Sequence, residues 1–209
     1  MIKSIKHIIF DLGGVLLNID YSLTERAFQQ LGFAEFKEVY SQLKQEQLFD
    51  ELETGRISPE DFIGKIRMRS GMQTENEAII NAWNAMLLDL PLQRLQLLQQ
   101  LRLYYDLVLL SNTNEIHEAA FNAITQKQHG VLIAGFFDKV YFSHRVGMRK
   151  PDREIFDRVL HENEFKAEHT LFIDDSPQHI ASAKSIGIQT IYLEKGMTIE
   201  EHIFKPKER

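Results

Sequence analysis

The chain has 209 residues, enough for one medium domain or a domain with an inserted module. A hydrophobic fraction of 44% fits a globular protein with a full core, and a net charge of -6 without a basic run argues against nucleic acid as the main partner. There is no cysteine, which excludes a disulfide framework and thiolate metal ligands and leaves oxygen or histidine to hold any metal.

Residues Met1 to Lys6 pass straight into an apolar run without a signal-peptide pattern, and no apolar run reaches the length of a membrane span. A cytoplasmic protein without a membrane partner is the expectation. Ile8, Ile9 and Phe10 read as a strand buried on both faces that stops abruptly at Asp11, Leu12, Gly13 and Gly14. An acid at the carboxyl end of such a strand sits where open α/β sheets bind ligands. The two glycines allow a tight turn and a close approach of backbone to a ligand. Taken alone, the stretch slightly favours a plainer reading, a solvated acid and a glycine turn.

From about Tyr21 to Met86 the pattern is helical. Ser22 with Glu25, and Thr74 with Glu77, have capping-box spacing. Ser58-Pro59-Glu60-Asp61 supplies an N-cap, a first-turn proline and acids facing the helix dipole. Gly32 and Gly55 read as helix stops. Roughly four or five short helices are expected, with Phe28, Phe36, Phe49, Phe62 and Trp83 as their own small core.

Leu90-Pro91 marks a return to alternation. A helix over 92–102 leads to a strand from Asp106 to Ser111, then a helix from Glu115 to Ile124 and a strand from Lys139 to Phe142. Pro151 opens a helix through Leu160, and a strand from Thr170 ends in the pair Asp174-Asp175. Ser176-Pro177 caps a helix that stops before Gly187, residues 188–193 form a fifth strand, and Thr198 with Glu201 marks a last short helix before a frayed tail over 205–209. The expected fold is α/β: a parallel sheet with helices on both faces. Its core is discontinuous, 1–17 and 91–209, and the all-helical insertion over 18–90 is placed to act as a lid.

In a parallel sheet the strand ends converge, bringing together Asp11, Ser111, Asn112, Lys150, Asp174 and Asp175. Crowded carboxylates raise each other's pKa, and a hard divalent cation such as Mg2+ relieves the conflict with oxygen ligands. Ser111 and Asn112, just before a helix, suit a phosphate, and Lys150 adds a positive charge. The set describes phosphoryl transfer to an aspartate.

Asp11-Leu12-Gly13-Gly14-Val15, Ser111-Asn112, Lys150-Pro151 and Asp174-Asp175 resemble, in order and spacing, the four motifs of the haloacid dehalogenase-like hydrolase superfamily, whose Rossmannoid core carries an inserted helical cap. Gly55-Arg56-Ile57-Ser58, Leu110-Ser111-Asn112-Thr113-Asn114 and Gly147-Met148-Arg149-Lys150-Pro151 resemble the branch containing bacterial α-D-glucose-1-phosphate phosphatase. The resemblance implies a Mg2+-dependent phosphatase for a small phosphorylated metabolite, with sugar phosphates such as glucose 1-phosphate as the expected substrates. Asp11 would form an aspartyl-phosphate. Asp11, the Gly13 carbonyl, Asp175 and, directly or through water, Asp174 would hold Mg2+, while Ser111, Asn112 and Lys150 would bind phosphate. Most phosphatases of the family carry a second aspartate where this chain has Gly13. That departure keeps two alternatives open: a metal-independent 2-haloacid dehalogenase, or a catalytically weak protein that binds a phosphorylated ligand. His117 and His179, in the first turns of helices after the second and fourth motifs, could each face the site, with a solvated surface position as the plainer reading, and His144-Arg145 is a more interesting pair near Lys150. Arg56, Arg67 and Arg69 are candidates to select an anionic substrate, with solvent-facing positions as the plainer reading.

Overall fold

The computed structural model describes residues 4–33, 36, 47–71 and 73–204. Strands β1 (His7–Phe10), β2 (Asp106–Ser111), β3 (Lys139–Phe142), β4 (Thr170–Asp174) and β5 (Gln189–Tyr192) form one sheet in the order β3-β2-β1-β4-β5, every pair parallel. The chain builds outward from β1 to β2 and β3, then crosses to β4 and β5 on the other side. That reversal beside β1 is where open parallel sheets form their ligand crevice.

Side chains alternate across the strands with a period of two. Ile8, Phe10, Leu107, Leu109, Leu171 and Ile173 pack on one face against Leu95, Leu98 and Leu101 of α5 (Leu92–Leu101) and Phe121 of α6 (Glu115–His129). Ile9, Val108, Leu110 and Phe172 pack on the other, against Ile155, Phe156 and Val159 of α8 (Arg153–Glu162) and Ala183 of α9 (Pro177–Ser185). Both faces are covered, so the central strands β1, β2 and β4 carry apolar runs, while the edge strands β3 and β5 keep exposed polar residues.

Between β1 and β2 lie α1 (Tyr21–Gln30), α2 (Gln47–Glu53), α3 (Pro59–Ser70) and α4 (Asn76–Asn84). Phe28, Phe36, Phe49, Phe62 and Trp83 are buried together there, joined by Ile116 of α6. The Trp83 ring lies 5.5 Å from Phe49 and 5.2 Å from Phe62, the separation at which aromatic pairs gain beyond their buried area. These residues are core, as their spacing implies.

Ser58 accepts a hydrogen bond from the Asp61 N–H, with Pro59 opening α3. The two proposed capping boxes are not formed. Asp20 caps α1 by accepting from the Ser22 N–H, which places Ser22 inside the helix with Arg26 on its hydroxyl. Helix α4 starts at Asn76, and Thr74 instead offers its carbonyl to Arg67 Nε at 3.2 Å. Helix α6 runs past Ile124 to His129 and stops at Gly130 (φ 70). Helix α8 begins at Arg153, because Lys150 and Pro151 form a turn closed by the Asp152 N–H on the Arg149 carbonyl. Near the end, Thr198 Oγ1 accepts from the Glu201 N–H and caps a short π-helical turn, Ile199–Ile203. The tail over 205–209 lies outside the described residues. Among the described residues no helix is long and apolar enough to cross a membrane.

Candidate active site

Lys150 is fully buried at the carboxyl edge of the sheet. It follows α7 (Ser143–Val146) in the loop after β3. Its Nζ donates to Asp11 Oδ1 at 2.7 Å, to Asp174 Oδ2 at 2.7 Å and to the Leu110 carbonyl at 2.9 Å. An ammonium has three protons, and each has an acceptor. Burial works against the lysine's charge, but Asp11 and Asp174 outweigh it and hold the Lys150 pKa above its ordinary value. Burial also opposes charge on Asp174, where Lys150 and His179 prevail and keep its pKa low. At Asp11 burial wins: despite Lys150, and with Asp174 adding repulsion, its pKa stands above the usual carboxylate value.

Asp174 is occupied on both oxygens. Oδ1 accepts from the Ser176 N–H at 2.7 Å and lies 3.0 Å from His179 Nδ1, while Oδ2 takes Lys150. Ser176 stands at the N-cap position of α9 but makes no side-chain cap. Asp175, next along, lines a cavity of about 90 Å³ together with Asp11, Gly13, Ser111, Asn112 and Lys150. Asp11, Asp174 and Asp175 each offer an oxygen, and these atoms lie within 4.8 Å of one another.

Asn112 ties the loop after β2 to the loop that carries the lysine. Its Oδ1 accepts from the Lys150 N–H at 2.9 Å and its Nδ2 donates to the Lys150 carbonyl at 2.8 Å. The side chain is thus committed to backbone, and the main chain is what Asn112 has to offer a ligand. Thr113, the next residue, is gripped by Ser143, whose hydroxyl accepts from its N–H and donates to its carbonyl, both at 2.9 Å. Gly13 is not at a positive φ, and a Cβ there would meet Ile19 Cδ1 at 3.2 Å. Gly14 is the constrained position: its φ is 74, and a Cβ would overlap the Asp175 carboxylate.

The histidine expectation is overturned. His117 is buried against Trp83, and burial pushes its pKa down to about 4. His179 is half-buried and reaches Asp174, because the first turn of α9 faces the sheet edge. His144 and Arg145 both engage Glu118, at 3.1 Å and 2.9 Å, and neither lines the cavity. Arg56 pairs with Asp50, Arg67 with Asn76, and none of Arg56, Arg67 and Arg69 lines the cavity. Two charged residues that do line it were missed by the sequence reading: Glu53, at the end of α2, and Arg149, whose Nη2 lies 2.9 Å from Glu53 Oε2. The adjacency of Arg149 to Lys150 was the available signal for one of them; Glu53 had none.

Residues 5–187 match the family model described as haloacid dehalogenase-like hydrolase. The D-ribitol-5-phosphate phosphatase of Bacteroides thetaiotaomicron is 32% identical over 92% of this chain and 93% of its own length. A HAD-family enzyme of the same organism, solved with magnesium and inorganic phosphate, has 34% identity and a TM-score of 0.85 over 96% of this chain and 98% of that one. A HAD-like hydrolase of Porphyromonas gingivalis has 32% identity and a TM-score of 0.86 over 96% of this chain and 95% of that one. The protein belongs to the haloacid dehalogenase-like hydrolases.

Proposed function

We propose that this hydrolase is a Mg2+-dependent phosphatase for a small sugar or polyol phosphate, acting through an aspartyl-phosphate on Asp11. The observation that carries the reading is the buried Lys150 bridging Asp11 and Asp174, with Asp175 completing three carboxylates around one point. One lysine cannot balance three acids, and burial already disfavours the ionised Asp11 that a nucleophile must be. A hard cation restores the balance, and an all-oxygen donor set suits Mg2+. Asp11, the Gly13 carbonyl and Asp175 would hold it. Asp174, already occupied by Lys150, Ser176 and His179, would act through water. Bound there, Mg2+ would neutralise charge on the phosphoryl oxygens.

The substrate phosphate would sit at the Ser111 hydroxyl, the Asn112 backbone N–H and Lys150, beside the N-terminus of α6. Lys150 fixes the orientation of Asp11, whose carboxylate attacks phosphorus as the P–O bond to the leaving oxygen breaks and that oxygen takes its proton from water. Water then opens the acyl phosphate and regenerates the carboxylate. Residues 18–90 would close over this site and exclude bulk water.

The small cavity favours a compact leaving group. The relative named for ribitol 5-phosphate extends the substrate range from glucose 1-phosphate to open-chain polyols. A cytoplasmic setting belongs to the same reading, since charged phosphate esters do not cross bilayers unaided. The third carboxylate disfavours a metal-independent dehalogenase, which would have no use for it. The test is phosphate release from glucose 1-phosphate and ribitol 5-phosphate with Mg2+ and with EDTA. Release that survives EDTA undiminished removes the metal from the proposal, and no release from either ester or a wider phosphate panel removes the phosphatase.

A further inference from the structure

We infer that Glu53, held in place by Arg149, is the residue that selects hydroxylated leaving groups; the inference rests on the phosphatase reading. Arg149 makes two ion pairs to α2: Nη1 to Asp50 Oδ1 at 3.1 Å and Nη2 to Glu53 Oε2 at 2.9 Å. The first already fastens α2 to the loop that carries Lys150. The Asp50 side chain is 35% exposed, as expected of a surface tie. Glu53 is different, with a side chain only 7% exposed, in the wall of the same cavity as Asp11, Asp175 and Lys150.

Burying a second carboxylate for a link that Asp50 already makes is costly. The cost is offset if the carboxylate has work inside the cavity. The cavity wall therefore carries a carboxylate acceptor, Glu53, beside the guanidinium of Arg149 that holds it. An alcohol hydroxyl both donates and accepts, so it complements the pair, whereas an alkyl chain satisfies neither group. Glu53 and Arg149 line the same cavity as Asp11 and Lys150, so this wall borders the space open to a leaving group attached to a phosphate at Lys150.

The probes are ribitol 5-phosphate and n-pentyl phosphate, which share chain length and a primary leaving oxygen and differ in hydroxyls. The readout is the ratio of their kcat/KM values in the full-length enzyme with Mg2+. Wild type favours the polyol, and Glu53→Gln lowers the ratio by about 10–100-fold, the range for hydrogen bonds to a charged group. Glu53→Ala lowers it at least as far. A simple fastening role would reduce both substrates together and leave the ratio within twofold, which overturns the inference. A wild-type ratio at or below one overturns it as well. Failure of the phosphatase reading looks different: neither ester, nor any other phosphate ester, is hydrolysed by wild type.

Discussion

The imidazole of His117 lies flat on the indole of Trp83, with 4.7 Å between ring centres, and its Nε2 is 3.1 Å from the Trp83 carbonyl. Asn114 fixes the tautomer. Its Oδ1 accepts from the His117 backbone N–H, so its Nδ2 must donate to His117 Nδ1 at 3.2 Å. The remaining proton is on Nε2 and goes to the carbonyl. A neutral ring satisfies every partner, and a second ring proton would have to displace Asn114.

The first prediction follows from that ring. Its pKa is depressed from 6.5 to about 4, so below 6.5 the unfolded chain takes up a proton that the folded chain refuses. Stability from this group is complete above pH 6.5 and is lost as pH falls toward 4, by about 2 kcal/mol at pH 5. Urea unfolding at pH 7 and pH 5 should show this loss in wild type and not in His117→Gln. Equal pH dependence in the two proteins would mean that His117 titrates normally.

Asp11→Asn should lose turnover by about a thousandfold or more while still binding inorganic phosphate. The amide oxygen can still accept from Lys150 Nζ, so the site keeps its shape without its nucleophile. Single-turnover assays with labelled substrate and isothermal titration with phosphate read the two properties separately. Wild-type turnover in a verified variant would end the covalent mechanism.

Two substitutions separate deleting a metal ligand from displacing one. Asp175→Ala should leave an activity deficit that no Mg2+ concentration repairs. Gly14→Ala should need roughly 10–100-fold more Mg2+ for half-maximal activity, the usual scale when a ligand's support is disturbed. Its new Cβ overlaps the Asp175 carboxylate, and its φ of 74 disfavours a side chain. Mg2+ activation curves make the comparison, and wild-type curves for both variants would refute the assignment of Asp175.

Because Gly13 offers no side-chain proton donor two residues after Asp11, protonation of the leaving oxygen should limit hydrolysis of poor leaving groups. A missing proton donor is worth about 10²–10⁴-fold, least for anomeric and aryl phosphates. Hydrolysis of glucose 1-phosphate should therefore outpace that of glucose 6-phosphate, and kcat/KM across aryl phosphates should fall as leaving-group pKa rises. Gly13→Asp is feasible in the backbone and asks Ile19 to yield a few tenths of an ångström. It should flatten the slope. A flat wild-type slope with chemistry rate-limiting would show that another group already supplies the proton.

The strand ends were legible because buried parallel strands are written locally, as apolar runs broken by a polar residue. Ile8-Ile9-Phe10 before Asp11 and Leu107 to Leu110 before Ser111 follow that pattern. Sequence position misled at His117, where a lone histidine in a first helical turn looks solvated. Its burial comes from Trp83, which arrives from a distant segment. The Glu53–Arg149 pair was invisible for the same reason, since its two halves meet only after folding. The Ser22 capping box failed through competition, as Asp20, two residues earlier, caps the helix instead.

The reciprocal bonds between Asn112 and the Lys150 backbone bear on how such an enzyme can diversify. They clip the phosphate seat and its lysine into one unit, so a substitution in either loop disturbs both. The wall contributed by α2 is joined to that unit through the Arg149 side chain rather than by main-chain pairing. Substrate range can thus drift by changes in α2 while the chemistry stays fixed. A library confined to Glu53 and its neighbours on α2 is the economical route to new specificities, and one spread over the Asn112 and Lys150 loops would mostly return inactive protein.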